Sequence, residues 1–207
     1  IGFGALFIGL MTARQPLISY RDLLVGLLGA SVGAYLSNRY VREPRPDQSL
    51  AQALEELDKR YALYSYHLPS NHVVASHYGL TVLEPRALQG EVRFENERWR
   101  HKAGLRKALQ FFGEPSLGRP DQDLAQEIKW VKDWIDKVMP EGDIPVNGAI
   151  VFTNPKVELQ VSGQALPIMV AADLARFMKE GLKGAPVLTT ARQKELRRTL
   201  DEVVGQG

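Results

Sequence analysis

The stretch from Leu17 to Leu36 constrains this chain more than any other, because its only charged residues are Arg21 and Asp22. A helix of about 20 apolar residues crosses the hydrocarbon core of a bilayer, and Arg21 and Asp22 lie near its start, where charged heads reach the interface. Gly26, Gly29, Ala30, Gly33 and Ala34 are spaced so that several share one helical face, and Gly29-x-x-x-Gly33 lets a second helix approach closely. Residues Ile1 to Met11 form another apolar segment, joined to the first by a tight connection from Met11 to Pro16. The two predict a transmembrane helical hairpin over residues 1–38. With Ile and not Met at position 1, its first helix is expected to be a truncated one. The competing arrangement is a buried hairpin in the core of a soluble protein.

Residues 39–47 form a basic linker. Arg39, Arg42 and Arg45 stand with Tyr40 at the expected membrane exit, which places the following domain on the cytoplasmic side. Pro44 and Pro46 stiffen the segment and prevent the helix from continuing. The chain of 207 residues, 44% hydrophobic, has room for one further domain at 48–207. Its net charge of +2 makes no global case for nucleic acid. The absence of cysteine excludes disulfides, thiolate metal sites and a Cys nucleophile.

Within the domain, Leu50, Leu54, Leu57 and Leu63 predict a first helix over 48–64. Short apolar runs at His72–Ser76 and Leu80–Leu83 flank Gly79 and predict a hairpin, and Gly90–Phe94 predicts a third strand. The stripe Leu124, Ile128, Val131, Ile135, Val138 predicts a helix from Asp121 to Val138, stopped by Pro140 and Gly142. Strands follow at Val146–Phe152, Val157–Val161 and Pro167–Val170, then helices at Ala172–Glu180 and Thr190–Val203. The expected class is a mixed α/β (α+β) domain.

The segment Asn71-His-Val-Val-Ala-Ser-His-Tyr-Gly79-Leu-Thr-Val-Leu-Glu84-Pro-Arg86 resembles the nuclease-related domain (NERD) family. That family has an Asp entering a strand, a Gly turn, and a strand ending in Glu-x-Lys. The resemblance extends through Gln89-Gly90, Arg98-Trp99-Arg100, Leu117-Gly118-Arg119-Pro120 and Val151-Phe152-Thr153-Asn154-Pro155. It implies a restriction-endonuclease-like mixed sheet flanked by helices, in a bacterial protein at the cytoplasmic membrane.

It also implies a degenerate PD-(D/E)xK-like site at Asn71, Glu84, Arg86 and Gln89. Asn71 at the Asp position keeps an oxygen but removes a charge that hard Mg²⁺ wants. Arg86 at the Lys position keeps positive charge, yet a guanidinium does not act as a base. Pro85 removes a backbone donor from the strand. The resulting expectation is a membrane-anchored accessory or interaction subunit without a cofactor, packing against other membrane subunits through Gly26, Gly29 and Gly33. The alternative is a Mg²⁺-dependent nuclease for DNA or RNA, with Glu84 and Glu55 as metal ligands.

Arg98, Arg100, Lys102, Arg106 and Lys107 form a run without acidic residues around Trp99. It suits nucleic-acid phosphates, anionic lipid headgroups or simply a solvated face. Trp130 and Trp134 lie one turn apart beside the apolar stripe, as wider core contact or as a docking surface. His67, His72 and His77 recur every five residues, which puts alternate members on opposite faces of a strand, and no carboxylate pattern completes a zinc site. No Ser/His/Asp arrangement and no Gly-rich phosphate loop is present.

Overall fold

The computed structural model describes residues 24–33, 45–102, 116–163, 166–182, 184 and 187–205. Pro46–Lys102 and Leu117–Gly207 form one compact unit, and residues 24–33 belong to another. The larger unit is mixed α+β with two mixed sheets. Helix α1 is Pro46–Leu54; strands β1 Ala62–Ser65, β2 His72–Ser76, β3 Gly79–Arg86, β4 Gly90–Glu95 and β5 Arg98–Lys102 follow. Helix α2 is Pro120–Val138, then come β6 Val146–Phe152, β7 Val157–Val161 and β8 Ile168–Val170. A helical segment α3 passes from 3₁₀ at Ala171–Asp173 through α at Leu174–Arg176 to π at Phe177–Gly181, and α4 spans Thr190–Gly205.

The main sheet has the order β1-β2-β3-β6-β8. Strands β1, β2 and β3 are antiparallel, whereas β3–β6 and β6–β8 are parallel. Every residue of β2 is buried, as are most of those in β3 and β6, because helices cover both faces. On one face Val73, Leu80, Val82, Ile150 and Phe152 pack with Leu124, Val131 and Ile135 of α2 and Leu196 and Leu200 of α4. On the other, Val74, Leu83, Ala149 and Val151 pack with Leu50 of α1 and Leu174 and Met178 of α3. Each of these large apolar side chains contributes roughly 2 kcal/mol on removal from water.

The small sheet has the order β5-β4-β7. Asn96 and Glu97 both have positive φ (50° and 58°), the geometry of a two-residue turn that matches strand twist, and they join β4 to β5. Val92 and Phe94 point inward while Arg93 and Glu95 are exposed. Trp99 stacks on Phe94 and reaches Phe152 of the main sheet, with centroids 4.6 and 6.1 Å away.

The helix expected over 48–64 ends at Leu54. Glu55 and Leu57 donate backbone N–H groups three residues back, to Gln52 (3.2 Å) and Leu54 (3.0 Å), the tightening that closes a helix. The Asp58 carboxylate then takes the Arg60 backbone N–H (2.8 Å) and Nε (3.0 Å), a side-chain turn that competes with helix. Leu63 therefore sits in β1, although it joins the same apolar cluster as Leu50, Leu54 and Leu57. The third expected strand, β4, lies in the small sheet and not beside β3. Of the α2 stripe, Val138 is exposed.

Residues 24–33 are helical and expose Leu24, Val25, Leu27, Leu28 and Val32, each more than half. Gly26 is covered, whereas Gly29 and Gly33 are exposed. Among the described residues no helix is long and apolar enough to cross a membrane. The remainder of the expected hairpin and most of the linker lie outside the described residues.

Gly79 and Gly148 set how closely the elements approach. Gly79 has φ +94°, and a Cβ there would lie 2.3 Å from the Pro145 carbonyl oxygen. At Gly148 a Cβ would meet the Ile128 and Leu124 Cδ1 methyls at 2.6 and 2.7 Å, so this residue lets α2 lie tight on β6. Gly79→Ala is expected to cost more than about 2 kcal/mol, since backbone and φ both oppose it, and Gly148→Ala about half as much, since methyl tips can move. Urea denaturation of the two variants checks the order.

Candidate functional site

Strand β3 alternates, so Leu80, Val82, Glu84 and Arg86 face α2, and Leu83 faces α1. Glu84 and Arg86 therefore emerge at the C-terminal end of β3 beside the first turns of α2, where Asp123 and Glu127 lie one turn apart. Arg86 bridges two carboxylates, Nη1 to Glu84 and Nη2 to Asp123. Its Nε is buried without a hydrogen-bond partner among the described residues. Glu84 hydrogen-bonds Glu127, whose Oε2 accepts a 2.6 Å bond from the buried Ser70 hydroxyl.

Asn71 is exposed, one residue before β2. The β2–β3 pairing stops at Val73 opposite Val82, so Asn71 lies beyond it, and its carbonyl accepts the Tyr66 N–H at 2.7 Å. Gln89 lies in the β3–β4 connection, with its carbonyl taking the His101 Nε2–H at 2.9 Å.

Pro85 fits its strand for a geometric reason. Leu80 donates its N–H to Pro145, and Arg86 accepts from Thr153 N–H, so even-numbered β3 residues turn their backbones toward β6. By the period of two, Pro85 turns its nitrogen toward β2, whose pairing with β3 ends at Val82. The missing donor falls where no strand needs it.

Burial pushes the Glu84 carboxyl up to about 7; Arg86 opposes this, while Glu127 and Asp123 add to it. A buried carboxyl beside two others retains a proton to relieve like charge. The arrangement can store and release that proton near neutrality, and it can hold a cation, a place now taken by Arg86. Among the described residues no group of three or more His, Asp or Glu side chains is set to hold a metal ion.

Glu55 is distant from this cluster. It is exposed in the turn after α1, and α1 covers the opposite face of the sheet. The carboxylates that accompany Glu84 come from α2. Asp123 and Glu127 show in the sequence only as an i, i+4 acidic pair in the polar start of that helix, and Ser70 carries no signal at all.

The basic run does not meet the cluster either. Trp99 turns inward, its Nε1 donating to Asp121 at 2.9 Å, so by alternation Arg98, Arg100 and Lys102 project from the outer face. Lys102 pairs with Glu91 at 3.0 Å, and Arg93 with the same Glu91. Arg106 and Lys107 lie outside the described residues. Trp134 is half-buried against the core while Trp130 is half exposed.

Of the three spaced histidines His67 is exposed, while His72 and His77 serve packing. His72 is buried, Nδ1 3.2 Å from the Ser65 hydroxyl, and His77 lies against Tyr61 and Tyr78. Desolvation lowers both pKa values, keeping the rings neutral. No family model, curated protein or solved structure matches the chain.

The raised Glu84 pKa has a definite sign. Below the ordinary carboxyl value of 4.5 both folded and unfolded chains bind the proton; between 4.5 and about 7 the folded chain binds it more tightly. Folding stability from this group therefore falls as pH rises across that window, by up to about 1 kcal/mol per pH unit. Glu84→Gln is expected to flatten the slope between pH 5 and 7.5 in urea denaturation, and an unchanged slope would assign the proton elsewhere.

Proposed function

We propose that the chain is a membrane-anchored, NERD-related protein whose restriction-endonuclease-like domain works by binding and not by cleavage, as an accessory or interaction subunit of a membrane assembly. The observation that carries this reading is the Arg86 guanidinium bridging Glu84 and Asp123. It stands where the resemblance expects a lysine and supplies, from within the chain, the positive charge that a nuclease of this kind takes from metal. Asn71, at the position where the resemblance expects an Asp, subtracts a further anionic ligand. The mixed sheet with helices on both faces supports the fold assignment. The helix at 24–33, which exposes Leu24, Val25, Leu27, Leu28 and Val32 along one side, supports an anchor, because such an apolar surface is stable in lipid and costly in water.

The second reading, a membrane-tethered Mg²⁺-dependent nuclease, draws on the convergence of Glu84, Asp123 and Glu127. Titration calorimetry of Mg²⁺ and Mn²⁺ into the whole chain separates the two. Under the binding reading the native protein shows no saturation at millimolar metal. Asn71→Asp combined with Arg86→Lys then gains at least about tenfold in affinity, because lysine lacks the planar fork by which Arg86 reaches Glu84 and Asp123 from two nitrogens. Saturable metal binding by the native chain, with DNA or RNA cleavage lost in Glu84→Ala, would establish the nuclease instead.

The anchor is checked separately by removing residues 1–45. The shortened chain is expected to leave the membrane pellet under alkaline carbonate; continued resistance to extraction sinks the assignment.

A further inference from the structure

The largest described cavity, about 760 Å³, opens at the other end of β2, between the turn at Lys59 and Arg60, the β2 residues Ala75 and Ser76, and helix α4. That volume lies within the range of small-ligand sites. Its lining carries five cations, Lys59, Arg60, Lys194, Arg197 and Arg198, against the two carboxylates Asp201 and Glu202. Counting Asp58, which pairs with Arg60 at the edge of the lining, five cations stand against three carboxylates, an excess of two as large as the net charge of the entire chain, and a cleft focuses such a field.

The five are not equivalent. Arg60 is neutralised by Asp58, and Arg198 pairs with Glu202 at 3.4 Å. Lys59 and Lys194 both line the cleft without an ion-pair partner among the described residues. Arg197, half-buried in the same lining, donates Nη2 to the Lys59 carbonyl at 2.9 Å and meets the Tyr64 hydroxyl. Tyr64 in turn donates to Asp201 at 2.8 Å. This positions the guanidinium while no carboxylate among the described residues pairs with it directly. A fixed arginine fork with unspent donors, sharing its cleft with two ammonium groups, matches a phosphate better than a carboxylate, because one multiply charged group can engage several cations.

We propose that this cleft binds the phosphate moiety of a soluble phosphorylated ligand of mononucleotide size or smaller, with Arg197 as its fork and Lys59 and Lys194 as flanking cations. The cleft stands apart from the Glu84 cluster and does not depend on the reading given for it.

The test is titration calorimetry of the whole chain with metal-free pyrophosphate at physiological salt, together with sedimentation on phosphatidylcholine vesicles with and without phosphatidylglycerol. Saturable binding of pyrophosphate at one site per chain is expected. Lys194→Glu, an exposed position that leaves the fold intact, and Arg197→Gln should each weaken it by about tenfold or more, while Arg98→Glu on the small sheet leaves it unchanged. Failure to saturate at millimolar pyrophosphate, or equal binding by Lys194→Glu, overturns the site. A preference for phosphatidylglycerol vesicles that vanishes in Lys194→Glu, without pyrophosphate binding, overturns it in favour of a lipid surface.

Discussion

The parallel pairing of β3 with β6, unbroken from Leu80 opposite Val146 to Arg86 opposite Phe152, is the constraint on which the rest of the domain depends. It lies in the middle of the main sheet, so its register decides which side chains meet α2 and which meet α1. A slip of one residue would exchange the two faces, turning Leu83 toward Asp123 and Glu84 into the apolar contacts of Leu50 and Met178. Core and candidate site are thus specified by one alignment. Its ends are fixed by backbone bonds outside the regular ladder, Leu80 to Pro145 and Thr153 to Arg86, and Gly79 is what allows the chain to pass close enough for the first.

The same alignment forces an electrostatic problem on the end of β3. Glu84 is desolvated there, and an unpaired buried carboxylate is expensive. Three devices offset the cost: the Arg86 guanidinium, a retained proton, and the Ser70 hydroxyl that satisfies Glu127. They are unequal in weight. The Asp123 side chain is 53% exposed whereas that of Glu84 is 8% exposed, so water screens the Arg86–Asp123 contact and the Arg86–Glu84 contact dominates. A divalent ion placed among these carboxylates would have to displace a guanidinium already in low dielectric surroundings. That competition, more than the loss of any one ligand, argues for binding over catalysis.

What the sequence revealed follows from the range of the interactions involved. Helix α2 and strand β6 were legible because a stripe at helical period and an unbroken apolar run each express burial against neighbouring layers. The Gly79 hairpin was legible because a tight turn is local chemistry. Residues 48–64 misled because Leu50, Leu54, Leu57 and Leu63 do share a cluster, but by chain reversal at Asp58–Arg60 and not along one helix; periodicity records which residues are buried and not how. The partition into two sheets, and the meeting of Ser70, Glu84 and Glu127, rest on contacts across more than 40 positions of sequence. Glu84 and Arg86 could be singled out from their motif, while Asp123 and Glu127 looked like ordinary acids at a helix start, a placement the helix dipole alone would justify.

The near-neutral composition also conceals a division of charge. Acidic groups gather near Ser70, just before β2 begins, and basic groups gather where it ends, beside Ala75 and Ser76. Four residue steps of extended chain separate the two ends of β2, roughly 13 Å. That distance exceeds the screening length of about 8 Å at physiological salt. Charges exposed at the two ends are therefore largely screened from each other, while the desolvated Glu84 is screened less. The two ends are joined by β2, whose residues are all buried and so have no room to adjust independently of the layers packed on them.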